Sequence, residues 1–140
     1  MVQISDKELI KILLEDGRKP YLRIAKQLNV TEAAVRKRVK KLIEEGKIKR
    51  FTIEIDPTSI GVSVVAIIGV DTKPEFYVKI IDFLKKHQAV VRLYTASGDH
   101  MILAECWFST PNSFEKFIET LEENDGVIKV CPAIITQRIK

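Results

Sequence analysis

Few residues in this 140-residue chain suit metal or covalent chemistry. There are two cysteines, Cys106 and Cys131, and two histidines, His87 and His100. They lie at no metal-ligand spacing, so no metal site is expected. Two separated thiols read as packed, reduced side chains. No glycine-rich phosphate loop and no nucleophile with an evident base is legible, which argues against an enzyme and against a bound cofactor. No apolar run approaches the ~20 residues of a membrane helix. The N-terminus, MVQISDKELI, lacks the basic-then-apolar order of a signal peptide. These absences predict a cytoplasmic protein with no membrane partner. Internal repeats and low-complexity tracts are missing too.

What is present is a globular composition, 46% hydrophobic and 30% charged. The net charge of +4 is unevenly spread. Residues 1–55 hold 14 Lys and Arg against 8 Asp and Glu, whereas residues 56–140 hold 9 against 11. A basic N-terminal part on a slightly acidic remainder suggests that only the first part meets a polyanion.

The N-terminal pattern predicts three helices. Ser5 and Glu8 have capping-box spacing, Leu9, Ile10, Leu13 and Leu14 follow at helical spacing, and Gly17 can close a helix over 5–16. Pro20 suits the start of a second helix over 20–28, ended by Asn29 in the left-handed conformation. Thr31 can cap a third over 32–45, whose Val35, Val39, Leu42 and Ile43 form one buried stripe before Gly46. Small Ala25, the turn residue Asn29 four positions on and apolar Val35 are what a tight bihelical unit requires. The third helix is therefore expected to enter the major groove of double-stranded DNA. Thr31, Glu32, Ala33 and Ala34 would go deepest. Arg36 and Arg38 have the fork geometry for guanine or phosphate, and Lys37 lies beside them. Lys40, Lys41, Lys47, Lys49 and Arg50 suit phosphate contacts, which position a protein without reading sequence.

KIKRFTIEI, Lys47 to Ile55, alternates and reads as a strand, and Asp56-Pro57 and Gly61 mark a boundary. The expected division is a helix-turn-helix, winged-helix-like domain over 1–48, a strand and linker over 49–61, and a second domain over 62–140. In the second, Val62–Val70 reads as a strand, Phe76, Ile80, Phe83 and Leu84 as a helix stripe, and Val90–Ala96 and Met101–Phe108 as strands around Gly98-Asp99. A helix follows, with capping-box spacing at Asn112 and Glu115 and a stripe of Phe114, Phe117, Ile118 and Leu121. Val127–Ile139 is mostly strand, interrupted at Pro132. The order β-α-β-β-α-β is the ferredoxin-like arrangement, making the whole an α+β protein. Two helices cover one face of such a sheet, yet residues of both parities in Val62–Val70 and Met101–Phe108 are largely apolar. A second apolar face predicts a homodimer, and hence a roughly two-fold symmetric DNA site.

Several segments together resemble the Lrp/AsnC family, the leucine-responsive or feast/famine regulators of bacteria and archaea. They are Ile24-Ala25, Val35-x-x-Arg38-Val39-x-x-Leu42, Glu45-Gly46-x-Ile48, Ile55-Asp56-Pro57 with Gly61, and Ser97-Gly98-Asp99-His100. The resemblance covers nearly the full length. It implies a transcription regulator whose second domain forms dimers, often assembled further into octamers, and binds small effectors, typically amino acids. It assigns the loop Ser97, Gly98, Asp99 and His100 to the effector site. On physical grounds Gly98 allows close backbone approach, and Asp99 could pair with an α-ammonium group. Thr95, Thr136 and Gln137 could add polar contacts. Gly-Asp is equally at home in a plain hairpin turn. The family loop usually reads Thr-Gly-Asp-Tyr-Asp; here His100 and Met101 stand at its last two positions. An architectural DNA protein with little sequence preference is the alternative reading.

Overall fold

The computed structural model describes residues 3–140, which fold as two compact units divided between Glu54 and Ile55. In the first unit Ser5 accepts the Glu8 amide and opens α1, Asp6–Glu15. This helix closes on Asp16, in extended conformation, rather than on Gly17. Its neighbour α2, Tyr21–Leu28, ends on Asn29 at φ 55, the left-handed conformation expected there. Thr31 then accepts the Ala34 amide at 3.1 Å and opens α3, Glu32–Glu44. Leu9, Leu13, Ile24, Ala25, Val35, Val39 and Leu42 bury together as one core. Ala25 is the close-approach point: its carbonyl accepts the Val30 amide, so the α2–α3 turn folds directly over it.

The strand expected over Lys47–Ile55 is not formed. The segment from Lys49 to Asp56 has no ladder, and Phe51 and Ile53 are exposed. An alternating pattern yields a strand only where another strand can pair with it. Among its described residues, the regular elements of the first unit are all helices.

The second unit opens with a 3-10 turn at Pro57–Ile60, capped by Asp56 and closed by Gly61 at φ 83. There follow β1 (Val64–Thr72), α4 (Tyr77–Lys86), β2 (Val90–Thr95), β3 (Ile102–Phe108), α5 (Pro111–Glu122) and β4 (Val127–Ile134). The strands make one antiparallel sheet in the order β2-β3-β1-β4. This is the predicted β-α-β-β-α-β arrangement. Two local expectations need correction. α5 is capped by Thr110 and Ser113, not by Asn112 and Glu115. Pro111, with fixed φ and no N–H to lose, suits the first helical position and sets the start there. β4 continues through Pro132, which pairs with Ile68, and stops at Ile134. It is an edge strand, where a missing donor is tolerated.

Strand parity divides the sheet. Val64, Ala66, Ile68 and Val70 of β1 and Ile102, Ala104, Cys106 and Phe108 of β3 are buried with Ile80, Leu84, Phe117 and Leu121 of the helices. The alternate residues Val65, Ile67, Leu103 and Trp107 lie on the opposite face, where Ile67 is 40% exposed.

Candidate nucleic-acid interface and ligand site

Core contact through Val35, Val39 and Leu42 turns the opposite side of α3 outward. Thr31, Glu32, Ala33, Arg36, Lys37, Lys40 and Lys41 are exposed, and Ala34 is half-buried. At 100° per residue, Ala33, Arg36, Lys37 and Lys40 share one face. Arg36 bonds Glu32 at 2.7 Å and lies over the Tyr21 ring, while Lys41 reaches Glu45 at 3.8 Å. Among the described residues, Lys37 and Lys40 have no carboxylate partner. Lys47 is committed to Asp6 and Glu45, which raises its pKa. Lys49 and Arg50 are exposed on the following segment.

Arg38 does not join this face. It stands three residues after Val35 and four before Leu42, so its stem follows the buried stripe. Its guanidinium bonds Asp6, in the first turn of α1, at 2.9 Å, and its side chain is only 24% exposed. Local desolvation raises the Asp6 pKa, but Lys47 and Arg38 outweigh it and hold the carboxyl below its usual range. Arg38 therefore stands apart from the exposed cations with which the sequence pattern grouped it, and it ties α3 to α1.

The β2–β3 turn presents Ser97, Gly98 and Asp99 to solvent, with Gly98 at φ 118 and Thr95 exposed just before it. The Ala96 amide donates to the Met101 carbonyl and closes the turn. His100 points back onto the sheet. Its Nδ1 lies 2.9 Å from Asp71 Oδ2, and the Met101 amide donates to Asp71 Oδ1, also at 2.9 Å. The imidazole rests on Gly69, where no side chain could fit beneath it. Burial pushes the Asp71 carboxyl up, but His100, the Met101 amide and Lys129 outweigh this and hold it below its ordinary 3.8. Beside the turn is a shallow recess of about 300 Å³ lined by Pro74, Tyr77, Ala96 and Met101. The site thus has an apolar recess, an exposed carboxylate at Asp99 and a permissive backbone at Gly98, the elements needed by a small amphiphile with an ammonium group.

Thr136 and Gln137 do not belong to this constellation within one chain. The turn adjoins Ile102, paired with Val70, whereas Ile134 pairs with Ala66 and the chain then runs on past Val65. Six strand residues at ~3.3 Å each put Thr136 about 20 Å from the turn. Sequence reading missed Tyr21, Gly69 and Asp71. A lone glycine inside an apolar strand does signal close approach of another group, here the His100 ring. No helix among the described residues is long and apolar enough to cross a membrane, and no group of three His, Cys, Asp or Glu among them is placed to hold a metal ion.

The fold and these two sites define a class: a helix-turn-helix unit joined to an α+β unit with one helix-covered sheet face. Residues 3–49 match the family described as winged helix-turn-helix DNA-binding, and residues 65–140 match the Lrp/AsnC ligand binding domain. The chain is 45% identical over 141 residues to the HTH-type transcriptional regulator LrpA of Pyrococcus horikoshii, with 100% of both chains covered. It is 36% identical over 135 residues to the regulator LysM of Sulfurisphaera tokodaii, covering 96% of this chain and 94% of that one. The chain belongs to the Lrp/AsnC family. Its fold matches that of a Neisseria meningitidis transcriptional regulator solved as a complex with L-Met, at TM-score 0.85 and 19% identity, over 99% of this chain and 93% of that one. It also matches AsnC of E. coli at TM-score 0.81 and 22% identity, over 99% and 95%.

Proposed function

We propose that this protein is a sequence-specific DNA-binding transcription regulator of the cytoplasm, without enzymatic activity, whose DNA binding responds to a small effector such as an amino acid. The observation that carries this reading is the outward face of α3, with Arg36, Lys37, Lys40 and Lys41 on a bihelical unit. Thr31, Glu32, Ala33 and Ala34 lead that helix into the groove. The open sheet face, with Val65, Ile67, Leu103 and Trp107, supports a homodimer and therefore two recognition helices on a two-fold symmetric site. Further assembly to an octamer follows the family pattern. Membership in a family with a ligand-binding domain, and a fold neighbour solved with L-Met, support an amino-acid effector, which we place at the Ser97–His100 turn for its exposed Asp99 and the apolar recess beside it. An effector at that turn acts only by binding one arrangement of the assembly more tightly than another.

Selection of bound duplexes from random DNA, at roughly physiological salt and with or without mixed free amino acids, tests this reading. A two-fold symmetric motif that shifts or weakens with amino acids is the expected result. Salt-sensitive binding with no enriched motif would replace it by the architectural reading. Sedimentation showing a monomer at micromolar concentration would remove the dimer.

A further inference from the structure

The geometry points to Tyr21 and Glu32 as positioning residues for Arg36, the side chain that reads a guanine in each operator half-site. This inference rests on the functional reading above and adds to it a specificity device. Arg36 differs from the other exposed cations of α3 in being held on two sides. Its Nη2 donates to Glu32 Oε1 at 2.7 Å, one helical turn earlier. Its guanidinium carbon lies 5.5 Å from the centre of the Tyr21 ring. Tyr21 begins α2, so the clamp spans both helices of the bihelical unit. The Arg36 side chain nevertheless remains 63% exposed.

This arrangement suits base reading better than phosphate binding. A guanidinium has five N–H donors in one plane. Glu32 takes one and Tyr21 restrains the group from one side, leaving enough for the parallel pair that guanine O6 and N7 accept. A held side chain also loses less rotamer freedom on docking than a free one. For a phosphate the same clamp is a handicap, because the Glu32 carboxylate offsets the charge and repels an approaching anion. Lys37 and Lys40, with no carboxylate beside them, take the phosphate role.

The probes are the duplex motif that the wild-type full chain selects from random DNA and all single-base-pair variants of it, at one fixed salt concentration. Arg36→Ala should flatten the preference at one G·C pair per half-site by about tenfold. Tyr21→Leu and Glu32→Gln should each weaken the preference at that same pair by about threefold, and Tyr21→Leu, which alters no groove-entering residue of α3, should leave the other positions unchanged. Tyr21→Phe keeps the ring face and should retain wild-type preference. Thermal melts confirm folding of each variant, and exposed Glu32 keeps the test open should Tyr21→Leu unfold the unit. If Arg36→Ala flattens one pair but Glu32→Gln and Tyr21→Leu do not, the clamp is idle and the inference fails while the regulator reading stands. Equal losses at every position would also overturn it, as would an Arg36→Ala variant that flattens none. If the wild type selects no motif, inference and functional reading fall together.

Discussion

Gly69→Ala tests whether the ligand turn is held by the sheet beneath it. A Cβ at residue 69 would stand 2.5 Å from His100 Cγ and 3.0 Å from Nε2, so the imidazole must leave. Overpacking of this kind costs ~1–3 kcal/mol. Eviction also breaks the His100–Asp71 hydrogen bond, whose partners are 22% and 19% exposed, for about 1 kcal/mol more. The reduced freedom of the unfolded chain returns about 0.4–1 kcal/mol. The net expectation is a loss of about 2 kcal/mol, or roughly 10 °C in the melting of a unit this size. His100→Ala alone should cost about 1 kcal/mol, through the lost hydrogen bond. The double variant should cost no more than His100→Ala, because the clash has lost its partner; the coupling is then ~1–2 kcal/mol. Denaturant unfolding followed by fluorescence of Trp107, the one tryptophan of the chain, reads this unit directly. Protomer concentration must be held constant, since any dimer adds concentration-dependent stability. Additivity of the two single changes within about 0.5 kcal/mol would refute the proposed packing.

Other outcomes follow from single contacts. Asp71 has a depressed carboxyl pKa, so its stabilisation is fully present above its ordinary 3.8 and is lost as pH falls below that value; Asp71→Asn should remove this part of the acid slope in Trp107-monitored unfolding. Asn29→Gly should be close to neutral, whereas Asn29→Val, a β-branched residue at φ 55, should cost the first unit about 1–2 kcal/mol in thermal unfolding. Burial and the nearby Glu105 charge push the Cys106 thiol up to about 12, so it should resist alkylation at pH 8 until the second unit is unfolded, as peptide mapping would show. Arg38→Ala should lower the unfolding midpoint of the first unit, because Asp6 loses the nearer of its two cationic partners, whereas exposed Arg36→Ala should leave it nearly unchanged.

What could be read in advance was whatever local chemistry determines. Thr31 and Ser5 cap helices because their hydroxyls reach amides three residues on, and Asn29 ends α2 because its short polar side chain tolerates φ > 0. Burial on alternate residues of β1 and β3 followed from strand period alone. Even the error at α5 was local: Pro111 carried a stronger start signal than Asn112, and it stood one residue away.

The remaining errors share another cause: the deciding group lies far along the chain. Lys47–Ile55 has a strand pattern, but a pattern provides no partner, and the three helices before it offer none. The basic run Arg36 to Lys41 looks uniform as a string, yet helical rotation places Arg38 between Val35 and Leu42, within reach of Asp6, 32 residues earlier. His100 looks like a solvent-facing turn residue until Asp71 and Gly69 are brought under it by the β1–β3 register. Thr136 and Gln137 look available to the turn until β4 is seen to run toward the other end of the sheet. Helical rotation alone could have flagged Arg38, since its angle on α3 is fixed by the same 3.6-residue period that marked the core. No local rule could have found Asp71, because its role depends on which strand folds beside it.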